Sequence, residues 1–229
     1  MLTLAASKVL AIGKMAVAAA MLSGLAAIGP VPFAHNMREV AMPDGSRLAV
    51  SRFEVTTAEW QRCAEAGVCA SLPKPQLPST PMTGVNAFDV EGYITWLNTE
   101  TRRHYRLPAA DEWQVIASDL PRRPFKKLFD DPRLAWAADY GSMEQVSAVI
   151  RPSGSFGTFG NGISDLGGNV WEWTSTCAAA GFNASECPAF MVEGLHETAL
   201  PVFVRDPASG GCAVGAPPAN IGFRLVEDR

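Results

Sequence analysis

Apolar and polar positions change rhythm several times along this chain, and each change predicts an element. After the extended, Pro-rich stretch PVPFAHN come two short strand-like runs, MREVAMPDG and RLAVSRFEV, parted by the turn sequence Pro43-Asp44-Gly45. Thr56 then precedes Glu59 by three positions and Trp60 by four. This spacing predicts a capping box, in which the Thr hydroxyl and the Glu carboxylate satisfy amides that a helix start leaves free. Gly67 closes that helix, and Ser71 to Pro81 reads as Pro-rich loop. A second helix begins near Asn86, with Val90, Ile94 and Leu97 at i, i+4 and i+7 and Tyr93 and Trp96 alongside. It runs out in the polar TETRRH before the extended Tyr105 to Pro108. A third helix carries Trp113 and Ile116 at i, i+3. Beyond Asp119 the pattern is irregular, with VSAVIRP and FVRDP as candidate strands. Helices ahead of a long stretch rich in Gly and aromatics predict an α+β fold, not alternating βαβ units.

The first residues follow another pattern. Met1 to Gly29 contains no acid, only Lys8 and Lys14, and Met15 to Ile28 is almost wholly apolar. A basic start and a short apolar run predict a secretory signal, with Ala34 usable before the cleavage point. The alternative is an uncleaved membrane anchor or contact through residues 4–28, because about 20 apolar residues can span a bilayer. Either way residues 1–34 are set apart from a domain over 35–229, and the location is periplasmic or otherwise extracytoplasmic.

Composition narrows the partners. With 48% hydrophobic and 18% charged residues the chain can build a core. Its net charge of −4 and lack of a basic cluster exclude nucleic acid, which requires a concentrated positive field. Cys63 and Cys69 flank QRCAEAGVC, and Cys177 and Cys187 flank TCAAAGFNASEC. In an exported chain such local pairs predict two small disulfide loops, leaving Cys212 over. A zinc site is the weaker alternative, since no CxxC occurs and only His35, His104 and His196 exist.

Ordered blocks then carry a family resemblance. They are FEVTTAEW (53–60), the stretch from Pro81 ending in YITWL (93–97), YRLPAADEW (105–113), DLGGNVWEWT (165–174) and IGFRLV (221–226). Together they resemble the formylglycine-generating enzyme, or sulfatase-modifying factor, family over about Phe53 to Val226. The resemblance implies a C-type-lectin-like arrangement of small twisted antiparallel sheets, two or three helices and much ordered loop. It also implies calcium at the glycine turn, bound by the side chains of Asp165 and Glu172 and the carbonyls of Gly168 and Val170. Hard oxygen ligands suit that ion. The alternative is that Glu172 accepts backbone or Arg hydrogen bonds in a partly buried turn. Residues alternate across a strand, so Trp171 and Trp173 should share one face while Glu172 points the other way. Gly167-Gly168 is expected to allow positive φ and close backbone approach. Arg106, Glu112 and Arg224 are expected to form ion pairs that knit the blocks together, with Trp113 as core and Asn169 part of the turn. Ala109 stands where the family has a Thr helix cap, a loss typically worth about 1 kcal/mol.

The family's oxidases bind Cu(I) through two cysteines in a G-G-S-x-x-C motif and five residues beyond it, and soft sulfur suits that metal. Here Cys212 occupies the Ser position, Gly215 the first ligand position and Asn220 the second. The resemblance therefore implies a frame without its copper pair, and copper is not expected. Cys212 is the one candidate catalytic residue, although no His lies near it in sequence. Two functions stay open: an accessory module binding an exported or membrane protein in the cell envelope, or a divergent oxidoreductase modifying a protein or peptide side chain. A purely structural envelope role is a third.

Overall fold

The computed structural model describes residues 35–72, 76–121, 149–195, 197–204 and 220–228. Every described residue belongs to one compact unit, Pro32–Arg229. The expected signal or anchor over 1–34 lies outside the described residues, as do Cys212 and Gly215.

The first strands form a hairpin, β1 (Met37–Ala41) against β2 (Arg47–Ser51), with Met37 opposite Ser51 and Ala41 opposite Arg47. Its turn is built as the Pro-Asp-Gly signal predicts: Gly45 takes φ +88°, and Asp44 accepts the Ser46 amide at 2.9 Å. Helix α1 (Thr57–Glu65) starts at the expected capping box, where the Thr56 amide donates to Glu59 Oε2 at 2.6 Å. Helix α2 (Ala87–Thr101) starts at a second one that the sequence reading did not identify: the Asn86 and Asp89 side chains each accept the other's amide at 2.9 Å. Strand β3 (Tyr105–Arg106) leads into α3 (Ala110–Ile116). Ala109 offers no capping hydroxyl there. Instead, Thr176 accepts the Ala110 amide at 2.9 Å and Glu112 accepts that of Ala109 at 2.8 Å, so the missing cap is replaced in part from across the fold.

The remaining strands are β4 (Trp171–Cys177), β5 (Ala189–Glu193), β6 (Thr198–Pro201), β7 (Ile221–Phe223) and β8 (Val226–Glu227). They complete two sheets, ordered β1-β2-β8-β3 and β6-β5-β4-β7. The architecture is α+β with small sheets, as expected, but not wholly antiparallel: β4 and β7 run parallel, with Trp171 opposite Ile221 and Trp173 opposite Phe223. The strands expected in VSAVIRP and FVRDP are absent from the described parts of those segments. The Arg151 amide is taken by the Asn169 side chain at 2.9 Å, and the Val204 amide turns back to Pro201 at 3.1 Å, so neither amide is free for a ladder.

Only Arg224 and Leu225 separate β7 in one sheet from β8 in the other. The core divides correspondingly. One cluster gathers Trp60, Tyr93, Leu97, Trp171, Trp173 and Phe223, with Trp60 and Tyr93 stacked at 5.6 Å. The other gathers Val50, Trp113, Ile116, Ile163, Leu166 and Val226. Burying such large side chains stabilises each cluster by about 1.5–3 kcal/mol per residue. Disulfides Cys63–Cys69 and Cys177–Cys187 close two short loops, with Cα separations of 5.2 and 5.7 Å. They are consistent with an extracytoplasmic location. Among the described residues no helix is long and apolar enough to cross a membrane.

Candidate functional site

The stretch from Asp165 to Trp173 forms a tight turn that feeds β4. Positive φ falls on Asp165 (66°) and Asn169 (68°), whereas Gly167 and Gly168 do not have it. The glycines are needed for space instead. A Cβ on Gly168 would sit 2.3 Å from Phe156 Cδ1, and one on Gly167 2.6 Å from Leu120 Cδ1. Local hydrogen bonds stabilise the two left-handed residues. The Asp165 carboxylate accepts the amides of Phe156, at 2.8 Å, and Gly154. The Asn169 amide group clasps the backbone of Arg151, accepting its N–H at 2.9 Å and donating to its carbonyl at 3.0 Å.

This turn directs Glu172 to the face of β4 opposite Trp173, into a site where both Glu172 and Arg224 are fully buried. Arg224 Nε donates to Glu172 Oε2 at 2.9 Å and Nη2 to Oε1 at 2.6 Å, a bidentate pair. Trp113 Nε1 donates to Glu172 Oε2 at 2.8 Å. The other Arg224 donors reach the carbonyls of Ser51 (3.0 Å), Arg52 (2.9 Å) and Ser164 (3.0 Å). All five guanidinium N–H groups therefore have acceptors. Arg224 sits where the chain passes between sheets, so this node ties β2, β4, α3 and the glycine turn together.

Three of the four oxygen groups expected for calcium have protein partners as arranged. Glu172 is taken by Arg224 and Trp113, Asp165 faces two amides, and the Gly168 carbonyl accepts the Val170 amide at 2.9 Å. A divalent cation on Glu172 would lie against a guanidinium and would have to displace it. Calcium also requires six to eight oxygens, and among the described residues no group of three His, Cys, Asp or Glu side chains is placed to hold a metal. Of the residues expected to hold calcium, Glu172 is paired with Arg224, while Asp165, Gly168 and Val170 lie in the turn that precedes it.

Sequence reasoning missed Glu54. It is 1% exposed, and both of its carboxylate oxygens are buried without a hydrogen-bond partner. Arg224 has no donor left for it. Burial pushes the Glu54 carboxyl up to about 8; Arg224 pulls it down, while Glu172 and Asp165 push it further up. It therefore carries its proton at neutral pH. The signal available in the sequence was an acid held between Phe53 and Val55, just ahead of the first capping box.

Arg106 and Glu112 form a separate, half-exposed pair. Arg106 meets Glu112 at 2.6 and 2.8 Å and Asp228 at 2.9 Å, joining β3, α3 and the end of β8. The Arg106 guanidinium holds the Glu112 carboxyl below its ordinary range. The Asn220 backbone carbonyl accepts the Trp171 amide at 2.8 Å, extending the β4–β7 pairing.

Comparison with known proteins agrees with this frame. The family described as sulfatase-modifying factor enzyme 1-like domain matches residues 24–229. A formylglycine-generating enzyme of Thermomonospora curvata is 28% identical over 127 residues, covering 51% of this chain and 40% of that enzyme. This chain thus matches less than half the length of that relative. Among solved structures, PvdO from Pseudomonas aeruginosa superposes with a TM-score of 0.54 at 20% identity, over 84% of this chain and 90% of that one. Variable protein 1 of Treponema denticola gives 0.53 at 14% identity, over 84% and 95%. Both likenesses are of fold.

Proposed function

Since the chain belongs to the sulfatase-modifying factor enzyme 1-like family, we propose that it is an exported, copper-free member that acts as a protein-binding accessory module in the cell envelope. The observation that carries this reading is a count of sulfurs. The chain has five cysteines, and Cys63, Cys69, Cys177 and Cys187 are joined in two disulfides. Cys212 is the one cysteine left, and one thiolate cannot supply the two-sulfur set that the family's Cu(I) chemistry uses. Gly215 and Asn220 at the matched positions offer no sulfur either. The charges of the shared blocks meet one another, Arg224 on Glu172 in the core and Arg106 on Glu112 at a half-exposed edge, and so support a scaffold role for them. Two disulfides support export to an oxidising compartment.

The test pairs two assays on the full chain. Purified protein given copper and a cysteine-containing peptide is expected to consume no oxygen. Isolation from its own envelope is expected to bring down a defined protein, in equal amount with the parent and with Cys212→Ser. Oxygen uptake that depends on Cys212 would overturn the reading in favour of a divergent oxidase.

A further inference from the structure

Helix α2 buries Val90, Tyr93 and Leu97 in the first core cluster, while Phe88, Glu91 and Ile94 line a different face. There a cavity of about 370 Å³ opens between α2, Phe190 of β5 and Val202. That is within the roughly 300–1,000 Å³ usual for pockets that take a ligand or an anchoring side chain. Ile94, Phe190 and Val202 give it apolar walls. Phe88, 59% exposed, lines it as well. An exposed aromatic at an apolar cavity is the kind of side chain that interfaces favour.

Charge specifies the occupant. Arg106 on the rim is neutralised by Glu112 at 2.6 Å and Asp228 at 2.9 Å. Glu91 is exposed, lines the cavity and has no hydrogen bond or ion pair among the described residues. Among the described residues, the unpaired charge at this apolar cavity is therefore negative. We propose that the cavity is a docking site for a protein segment that inserts an aromatic or aliphatic side chain between α2 and β5 and sets a neighbouring Lys or Arg against Glu91. This rests on the binding-module reading and names the chemistry of its partner.

The test uses the full chain, isotope-labelled for NMR, and three blocked tetrapeptides: one with adjacent Phe and Lys, one with Phe and Glu, one with Ala and Lys. The Phe–Lys peptide is expected to shift the Phe88, Ile94 and Phe190 signals saturably, and the other two weakly. Glu91→Gln should weaken its binding about threefold, the scale of one exposed ion pair, and Phe88→Ala should remove most of it. Phe88 and Glu91 are surface residues, so both variants fold. Three results would overturn the proposal: no saturable shift, equal binding of the Phe–Glu peptide, or shifts of these signals with protein concentration alone, which mark self-association. A co-isolated partner that stays bound to Phe88→Ala would remove this site and leave the binding-module reading standing.

Discussion

Replacing Glu54 with Gln exchanges a buried, partnerless carboxyl for a neutral group of nearly the same shape. The folded-state value for Glu54 is about 8, against an ordinary 4.5. The folded protein thus holds a proton that the unfolded chain releases above pH 4.5. The sign follows: the stability tied to this group is complete below about 4.5, falls as pH rises, and is fully lost above about 8. At about 1.4 kcal/mol per pH unit, the parent loses on the order of 3 kcal/mol by pH 7 and approaches about 5 kcal/mol beyond pH 8. A glutamine amide does not titrate, so Glu54→Gln should escape this loss. The variant's stability relative to the parent should rise by about 3–4 kcal/mol between pH 5 and pH 8. Denaturant titrations at those two pH values, followed by fluorescence of the fully buried Trp60, Trp113, Trp171 and Trp173, measure the difference. Parallel stability–pH profiles for parent and variant would mean instead that Glu54 reaches water or a donor in the folded protein.

Arg224→Met should destabilise the domain by about 3–5 kcal/mol in the same titrations, because it leaves the buried Glu172 charge with Trp113 alone. Removing Cys63–Cys69 by a double Ala substitution should cost about 2–3 kcal/mol, as expected for so short a loop. Ala109→Thr should stabilise by less than about 1 kcal/mol, since Thr176 and Glu112 already hold two amides at that helix start. Millimolar calcium should leave the midpoint of thermal unfolding unchanged, and a rise of several degrees would show that Arg224 yields its place to the ion.

Elements with local chemistry were legible in the sequence. Thr56 and Glu59 mark the start of α1, Pro43-Asp44-Gly45 marks the hairpin, and the two cysteine pairs close loops short enough to read directly. Asn86 and Asp89 carry the same capping chemistry but use Asn and Asp, which the Ser/Thr–Glu/Gln pattern does not describe. Strand β6 was missed for a physical reason. β6 is buried on both faces, so TALP shows no alternation, and it ends in Pro201. Period-two alternation correctly sent Glu172 away from Trp173, but its partner lies 52 positions away across a change of sheet. No local pattern reports that crossing at Arg224–Leu225, and the neutral Glu54 follows only once all five Arg224 donors are accounted for.

The binding-module proposal depends on a family frame that lacks a sulfur pair for copper. It is tested most directly by titrating the full, disulfide-intact chain with Cu(I) against a competing cuprous chelator. The chelator is expected to retain the metal, with Cys212→Ser indistinguishable from the parent. One tightly held cuprous ion per chain, lost on Cys212→Ser, would contradict it.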